Sequence, residues 1–203
     1  MATAPEDGVG GRPDTGAAWH GFPRGAAAGS FLHDQLEWLA GEGFARVDAP
    51  EIREQLQRRC EQLGWGRHAG TVQAWLAAIV GTELAGVGAP LAAIGRPLAE
   101  MEFWFPSDGL AAAPLDALCR EHLLDGTERP PLPARELRGM LMGYADLVFE
   151  HGGRWWVLDY KSNALGPGDA DYTPQALRAA VAAHRYEVQA VLYLLALHRL
   201  LRR

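Results

Sequence analysis

Lysine is nearly absent: of 19 basic residues in the 203-residue chain, 18 are arginine and Lys161 stands alone. The nucleotide-binding pattern G-x-x-x-x-G-K-[ST] needs a lysine at the end of a glycine loop. Lys161 is followed by Ser162 but preceded by Leu158-Asp159-Tyr160, so ATP hydrolysis of that kind is excluded from these residues. Cysteine is scarce too. Cys60 and Cys119 lie far apart in helix-like stretches, which reads as two free buried thiols in a reducing compartment. No run approaches the ~18 uncharged apolar residues needed to span a bilayer. The Gly-, Pro- and Ala-rich start lacks the basic and apolar regions of a signal peptide, which leads us to expect a flexible segment over residues 1–22 and a cytoplasmic protein with no membrane contact. Positive charge is not in excess either. A net charge of −6 argues against a general nucleic-acid binder. It leaves room for an enzyme that holds a divalent cation and is handed its DNA by a larger partner.

What is present suits a globular domain with a real core, at 48% hydrophobic and 22% charged residues. Residues 30–41 predict a helix with Ser30 as N-cap, an apolar stripe of Phe31, Leu32, Leu36 and Leu39, and a stop at Gly41. Residues 49–95 predict two or three Ala-rich helices broken near Gly64–Gly70 and Gly86–Gly88. In residues 97–106 the period changes to two. Glu100, Glu102 and Trp104 alternate with Met101, Phe103 and Phe105 in a strand that Pro106 is expected to end. A helix and a Pro-rich loop over 107–138 lead to strands over 139–150 and 154–161. From Thr173, an N-cap before Pro174, the pattern is helical to Arg203 with a break near His184.

The two central strands flank His151-Gly152-Gly153, a strong hairpin signal. A turn centred on the two glycines pairs residues whose numbers sum to 305, which sets Asp146 opposite Asp159 and Lys161 opposite Tyr144. The other face then carries Ala145, Leu147, Phe149, Trp156 and Leu158, while Met142, Val148, Trp155 and Val157 share the aspartate face. Facing carboxylates repel, and largely covered surroundings make them costlier. A divalent cation between them removes the objection: Mg²⁺ takes one or two carboxylates, waters and substrate phosphate oxygens. A lone D-x-K triplet is more often a salt bridge on a solvated strand. The facing Asp146, the apolar surroundings and the single lysine reverse that balance.

Longer blocks add a resemblance. G-Y-A-D-L-V-F (143–149), L-D-Y-K-S-N (158–163) and H-R-Y-E-V-Q-A-V-L-Y-L-L-A-L-H-R-L-L (184–201) closely resemble the C-terminal nuclease domain of the RecB family. RecB-type chains are beta subunits of bacterial exodeoxyribonuclease V, within the PD-(D/E)xK nuclease superfamily. F-P-R-G-A-A-A-G-S-F-L-H (22–33) and L-A-E-M-E-F-W-F-P (98–106) extend the resemblance to nearly the whole chain. It implies a restriction-endonuclease-like α/β fold: a central mixed β-sheet flanked by helices, in a nuclease domain over 23–203 with an N-terminal helical region at about 42–95. It also implies that the chain is a fragment of a longer domain.

For the site, the resemblance implies that Asp146 and Asp159 are the central metal ligands. His33 and the backbone carbonyl of Tyr160 would complete the set. Lys161 would be the catalytic lysine, Glu100 the upstream acid with Glu102 as the alternative, and Gln189 and Tyr193 the Q-x-x-x-Y pair of the final helix. Without the resemblance His33 reads as a surface histidine, the two glutamates as solvated strand residues, and Gln189 and Tyr193 as parts of a packed helix. The implied activity is Mg²⁺-dependent cleavage of DNA phosphodiester bonds, with Mn²⁺ or Ca²⁺ also able to occupy the site, in a RecBCD-type repair helicase–nuclease. The implied partners are linear duplex and single-stranded DNA, RecC- and RecD-like subunits, the helicase portion of RecB and the recombinase RecA. The competing expectation is a catalytically weak docking module of nuclease fold that contacts the recombinase or sister subunits.

Overall fold

The computed structural model describes residues 17–202. Three helices come first: α1 (Ala26–Glu42), α2 (Pro50–Gln62) and α3 (Ala69–Gly81). A short antiparallel pair follows, β1 (Glu83–Leu84) and β2 (Ala89–Pro90). Then come β3 (Leu98–Ala111), α4 (Ala112–His122), β4 (Glu136–His151), β5 (Arg154–Leu158), α5 (Pro174–His184) and α6 (Tyr186–Leu201).

The main sheet has the order β3-β4-β5. The α/β class with helices on both faces is as expected, but both pairings in this sheet are antiparallel, so the expected mixed sheet is not realised among the described residues. The reason is topological. β4 and β5 are joined by a two-glycine turn, and the residues after β5 form a loop and two helices with no further strand. Among the described residues no helix is long and apolar enough to cross a membrane.

Several boundaries differ from the sequence pattern. Residues 1–16 of the expected flexible segment lie outside the described residues, whereas Ala18–Gly21 form a 3-10 turn and Phe22 is buried in the core. α1 begins at Ala26, not Ser30, because the Ala-rich stretch already favours helix; Ser30 lies inside it and caps nothing. The last part of the supposed helical region is the β1–β2 hairpin, with Gly88 at φ +76° in its turn. β3 runs through Pro106, which pairs with Met140. β3 is an edge strand, where a missing N–H is tolerated. The break near His184 is real: Arg185, at φ +58°, separates α5 from α6.

Two cores sandwich the sheet. α1, α2 and α3 bury Phe31, Leu39, Ile52, Leu56, Val72 and Leu76 against Leu147 and Phe149. On the other side Met101, Phe103, Phe105, Ala145 and Val148 meet Tyr193, Ala196 and Leu197 of α6. The Phe103 ring lies so close over Gly143 that a Cβ there would come within 2.4 Å of its Cζ, and its face meets Tyr193 in a T-shaped contact. Ala145 was expected with Leu147 and Phe149, yet it packs with Val148. The alternation therefore slips at Asp146, where the opposing β3 residue, Glu100, takes a left-handed backbone (φ +50°). Non-glycine residues held this way cost on the order of 1–3 kcal/mol and cluster at functional sites.

Candidate active site

The hairpin register is the expected one: Leu147 pairs with Leu158 and Val148 with Val157, so partner numbers sum to 305. The ladder stops one step before the aspartate pair, and Asp159 lies just past β5. In place of a ladder bond, the Tyr160 amide donates to Asp146 Oδ2 at 2.6 Å. Asp146, at 13% side-chain exposure, also has His33 Nδ1 of α1 at 3.6 Å. Lys161, expected opposite Tyr144 in the ladder, lies in the loop that follows.

Asp159 and Lys161 do form the ion pair that the simpler reading proposes, but the pair is not isolated. Gln189 of α6 spans it: its Nε2 donates to Asp159 Oδ1 at 3.1 Å and its Oε1 accepts from Lys161 Nζ at 2.9 Å. The same amide donates to the Tyr193 hydroxyl one helical turn on. Lys161 Nζ also sits 4.4 Å from the centroid of the Tyr186 ring, whose hydroxyl donates to Asn163 Oδ1 at 3.0 Å. The ammonium is thus held by an anion, an amide and an aromatic face.

Glu100 lies between the pairs Ala99–Leu147 and Met101–Ala145, across from Asp146. Glu102, the alternative, instead accepts from the Tyr144 hydroxyl at 3.2 Å and from Trp104 Nε1 at 3.0 Å. Glu100 therefore joins Asp146, and Glu102 does not. Burial raises the Asp146 carboxyl above its ordinary range; the Tyr160 amide opposes this and the Asp159 charge adds to it. Burial likewise raises Glu100, with Asp146, Glu37 and Asp34 adding and His33 opposing. Burial pushes the Tyr193 phenol up to about 12 despite the hydrogen bond from Gln189. The Tyr160 phenol is raised above its usual value by burial and then by Asp146, and its oxygen is buried with no partner among the described residues.

Among the described residues no three His, Cys, Asp or Glu side chains are gathered tightly enough to grip a metal as they stand. The donor chemistry nevertheless fits a hard divalent ion. Asp146 is a partly buried carboxylate raised by desolvation and by the Asp159 charge, the exposed Glu100 across from it is raised by desolvation and by the Asp146 charge, and an imidazole stands beside Asp146. A cation there would relieve the repulsion.

This gives a first prediction. A carboxyl whose folded pKa lies above its unfolded value stabilises the fold in acid, and that contribution is lost as pH rises through the folded pKa. In EDTA, Asp146→Asn should therefore melt above wild type near neutral pH, with the gap closing as pH falls into the ordinary carboxylate range. A cross-strand charge pair is worth about 0.2–1 kcal/mol, so the rise should reach at most about 4 °C. A lower melting point for the variant would mean that Asp146 has a stabilising partner that Asn cannot replace.

Sequence reasoning missed Tyr186, although it lies three residues before Gln189 and so shares its helix face. It also missed Glu187. This residue is buried, with Arg129 Nη1 at 3.3 Å and Arg185 Nε at 2.7 Å from Oε1. A lone acid in the apolar run of α6 was the available signal.

A chain with this α/β layout and a D…D-x-K hairpin crossed by a Q-x-x-x-Y helix has the features of a nuclease. The family profile of the PD-(D/E)XK nuclease superfamily matches residues 16–203, and the chain belongs to that superfamily. Its members generally use divalent metal ions. Among curated proteins, the chain is similar to the RecBCD enzyme subunit RecB of Escherichia coli strain K12, at 42% identity over 186 residues, covering 90% of this chain and 15% of that protein. RecB of Haemophilus influenzae is 31% identical, over 89% of this chain and 15% of its own length. RecB of Mycolicibacterium smegmatis is 29% identical, over 89% of this chain and 19% of its own length. The chain thus spans about 15–19% of the length of these relatives.

Proposed function

We propose that this chain is a divalent-metal-dependent deoxyribonuclease domain, the nuclease part of a RecBCD-type recombinational repair helicase–nuclease of the cytoplasm. The observation that carries the reading is the hydrogen-bonded set Asp159–Lys161–Gln189 beside the partly buried Asp146, in a chain of a nuclease superfamily. DNA is the substrate, and RecC- and RecD-like subunits, the helicase portion of RecB and the recombinase RecA are the proposed partners.

In this reading Asp146, Asp159, His33 and the Tyr160 carbonyl would hold the ion, with Mg²⁺ as the working metal. When bound, it supplies Lewis acidity at the scissile phosphate and a lowered pKa for its water. Lys161 orients the attacking water and balances charge that grows on the phosphate. Gln189 keeps the ammonium and the Asp159 carboxylate in register. Tyr193, with its phenol at about 12, stays protonated near neutral pH, so it serves as a hydrogen-bonding prop for Gln189 and not as a base. Glu100 adds negative charge across from Asp146 and helps attract the cation.

The test is incubation of the protein with linear duplex and single-stranded DNA in millimolar Mg²⁺, with an EDTA arm. Shortening of the DNA in Mg²⁺ that stops in EDTA is the expected outcome. Stable DNA in both arms would favour the docking module.

A further inference from the structure

The break between α5 and α6 sets one aromatic side chain against the loop that carries Lys161. Tyr186, the first residue of α6, is half-buried; its ring centroid lies 4.4 Å from Lys161 Nζ and its hydroxyl donates to Asn163 Oδ1 at 3.0 Å. Resting on the nuclease reading above, we propose that Tyr186 is a positioning residue for hydrolysis. Its ring holds the Lys161 ammonium where that group orients the attacking water, and its hydroxyl anchors the loop on which the lysine stands.

Three observations carry this. Lys161 lies beyond the end of β5, where the strand ladder no longer fixes it, and Tyr186 grips that loop at two alternate residues, Lys161 and Asn163. An ammonium has three N–H donors, of which Asp159 and Gln189 take two. A ring face attracts the cation as a whole, so it steadies the group and leaves the third donor for a water. Finally, the ring is itself held. Residues two apart on a continuous helix do not face each other, yet His184 stacks on Tyr186 at 5.2 Å and 17°, because Arg185 between them is left-handed, at φ +58°. That backbone is kept in place by the Arg185 side chain, which donates to Glu187, Asp116 and the Pro130 carbonyl. A tyrosine that only packed α6 would be replaceable by leucine with no effect on the lysine or on the rate.

The experiment uses the full chain, in which a single lysine gives a single probe. Lysine isotope-labelled at Cε yields one side-chain resonance, that of Lys161. Protons over an aromatic face are shielded, so the wild-type Hε signal should lie upfield of free lysine. Tyr186→Leu should return it to the free position, and Tyr186→Phe should keep it upfield. On linear DNA in millimolar Mg²⁺, Tyr186→Leu should lower kcat by about tenfold, part of the roughly 100-fold that a misplacement of ~1 Å can cost, with KM little changed. Tyr186→Phe should recover most of the rate, and melting curves show that each variant is folded. A wild-type lysine signal at the free position overturns the proposal. So does Tyr186→Leu cutting at the wild-type rate, or Tyr186→Phe cutting no faster than Tyr186→Leu. If Tyr186→Leu does not fold, the wild-type signal and the Tyr186→Phe rate decide. Hydrolysis by wild type is scored separately. An upfield lysine signal without hydrolysis would refute the nuclease reading and keep the contact; hydrolysis with the signal at the free position would do the reverse.

Discussion

Lys161→Arg should abolish phosphodiester hydrolysis, with a loss of about 100-fold or more, while folding and metal binding stay near wild type. The substitution keeps the charge, and the chain writes its 18 other basic residues as arginine, so on composition alone it looks neutral. The local geometry says otherwise. The ammonium lies against Asp159, the Gln189 side-chain carbonyl and the Tyr186 ring, and its exposed side is left for a water and a phosphate oxygen. A guanidinium is planar, wider and forked, and it would take the place of a water or a phosphate oxygen. Displacing the reacting atoms by ~1 Å can cost on the order of 100-fold in rate. Rates of wild type, Lys161→Arg and Lys161→Ala on linear DNA at fixed Mg²⁺ check this, with melting curves to show that each variant is folded. Near-wild-type cleavage by Lys161→Arg would reduce Lys161 to a structural ion pair, which arginine serves equally well.

The second large effect is on stability, at Glu187. Its Oε1 lies 3.3 Å from Arg129 Nη1 and 2.7 Å from Arg185 Nε, and all three side chains are at most 9% exposed. Arg129 also donates to the carbonyls of Cys119, Leu123 and Thr127, and Arg185 to Asp116 at 2.6 Å and the Pro130 carbonyl at 2.7 Å. One carboxylate therefore ties the first turn of α6 to α4 and to the loop after it, two residues before Gln189. Removing one partner of a buried pair leaves an uncompensated charge and costs about 3–5 kcal/mol. Glu187→Ala should lower the melting temperature by about 10 °C and slow hydrolysis through loss of Gln189 position. Glu187→Gln, whose oxygen still accepts from the arginines, should lose less. A cost below about 1 kcal/mol for Glu187→Ala would show that water replaces the carboxylate and that the network does not hold α6.

The hairpin could be read from the chain because two glycines fix its turn and period-two alternation fixes its faces, so Asp146, Asp159 and Lys161 came together on local chemistry alone. The slip of alternation at Asp146 could not be read, because it follows from a left-handed backbone at Glu100 on another strand. The β1–β2 hairpin was hidden by an Ala-rich composition that suits helices, and the passage of β3 through Pro106 by an edge position that only the sheet order reveals. In the site, His33, Gln189 and Tyr193 came from resemblance, and the structure brings all three to the aspartates. The Arg129–Glu187–Arg185 set stayed out of reach. Its members are 58 and 2 residues apart, and only the packed fold makes them neighbours.

The central claim is that one cluster, Asp146 with Asp159 and Lys161, both binds the metal and cuts the DNA. Asp159→Asn tests it most directly, because a near-isosteric change removes one charge from the pair. Melting of wild type and variant with and without millimolar Mg²⁺ or Mn²⁺ should be measured beside their hydrolysis of linear DNA. The account predicts that the ion raises the wild-type midpoint, since it binds the folded state only, and that Asp159→Asn loses both this rise and the cleavage. Cleavage at the wild-type rate by Asp159→Asn, or a wild-type midpoint that the ions leave unchanged, would contradict it.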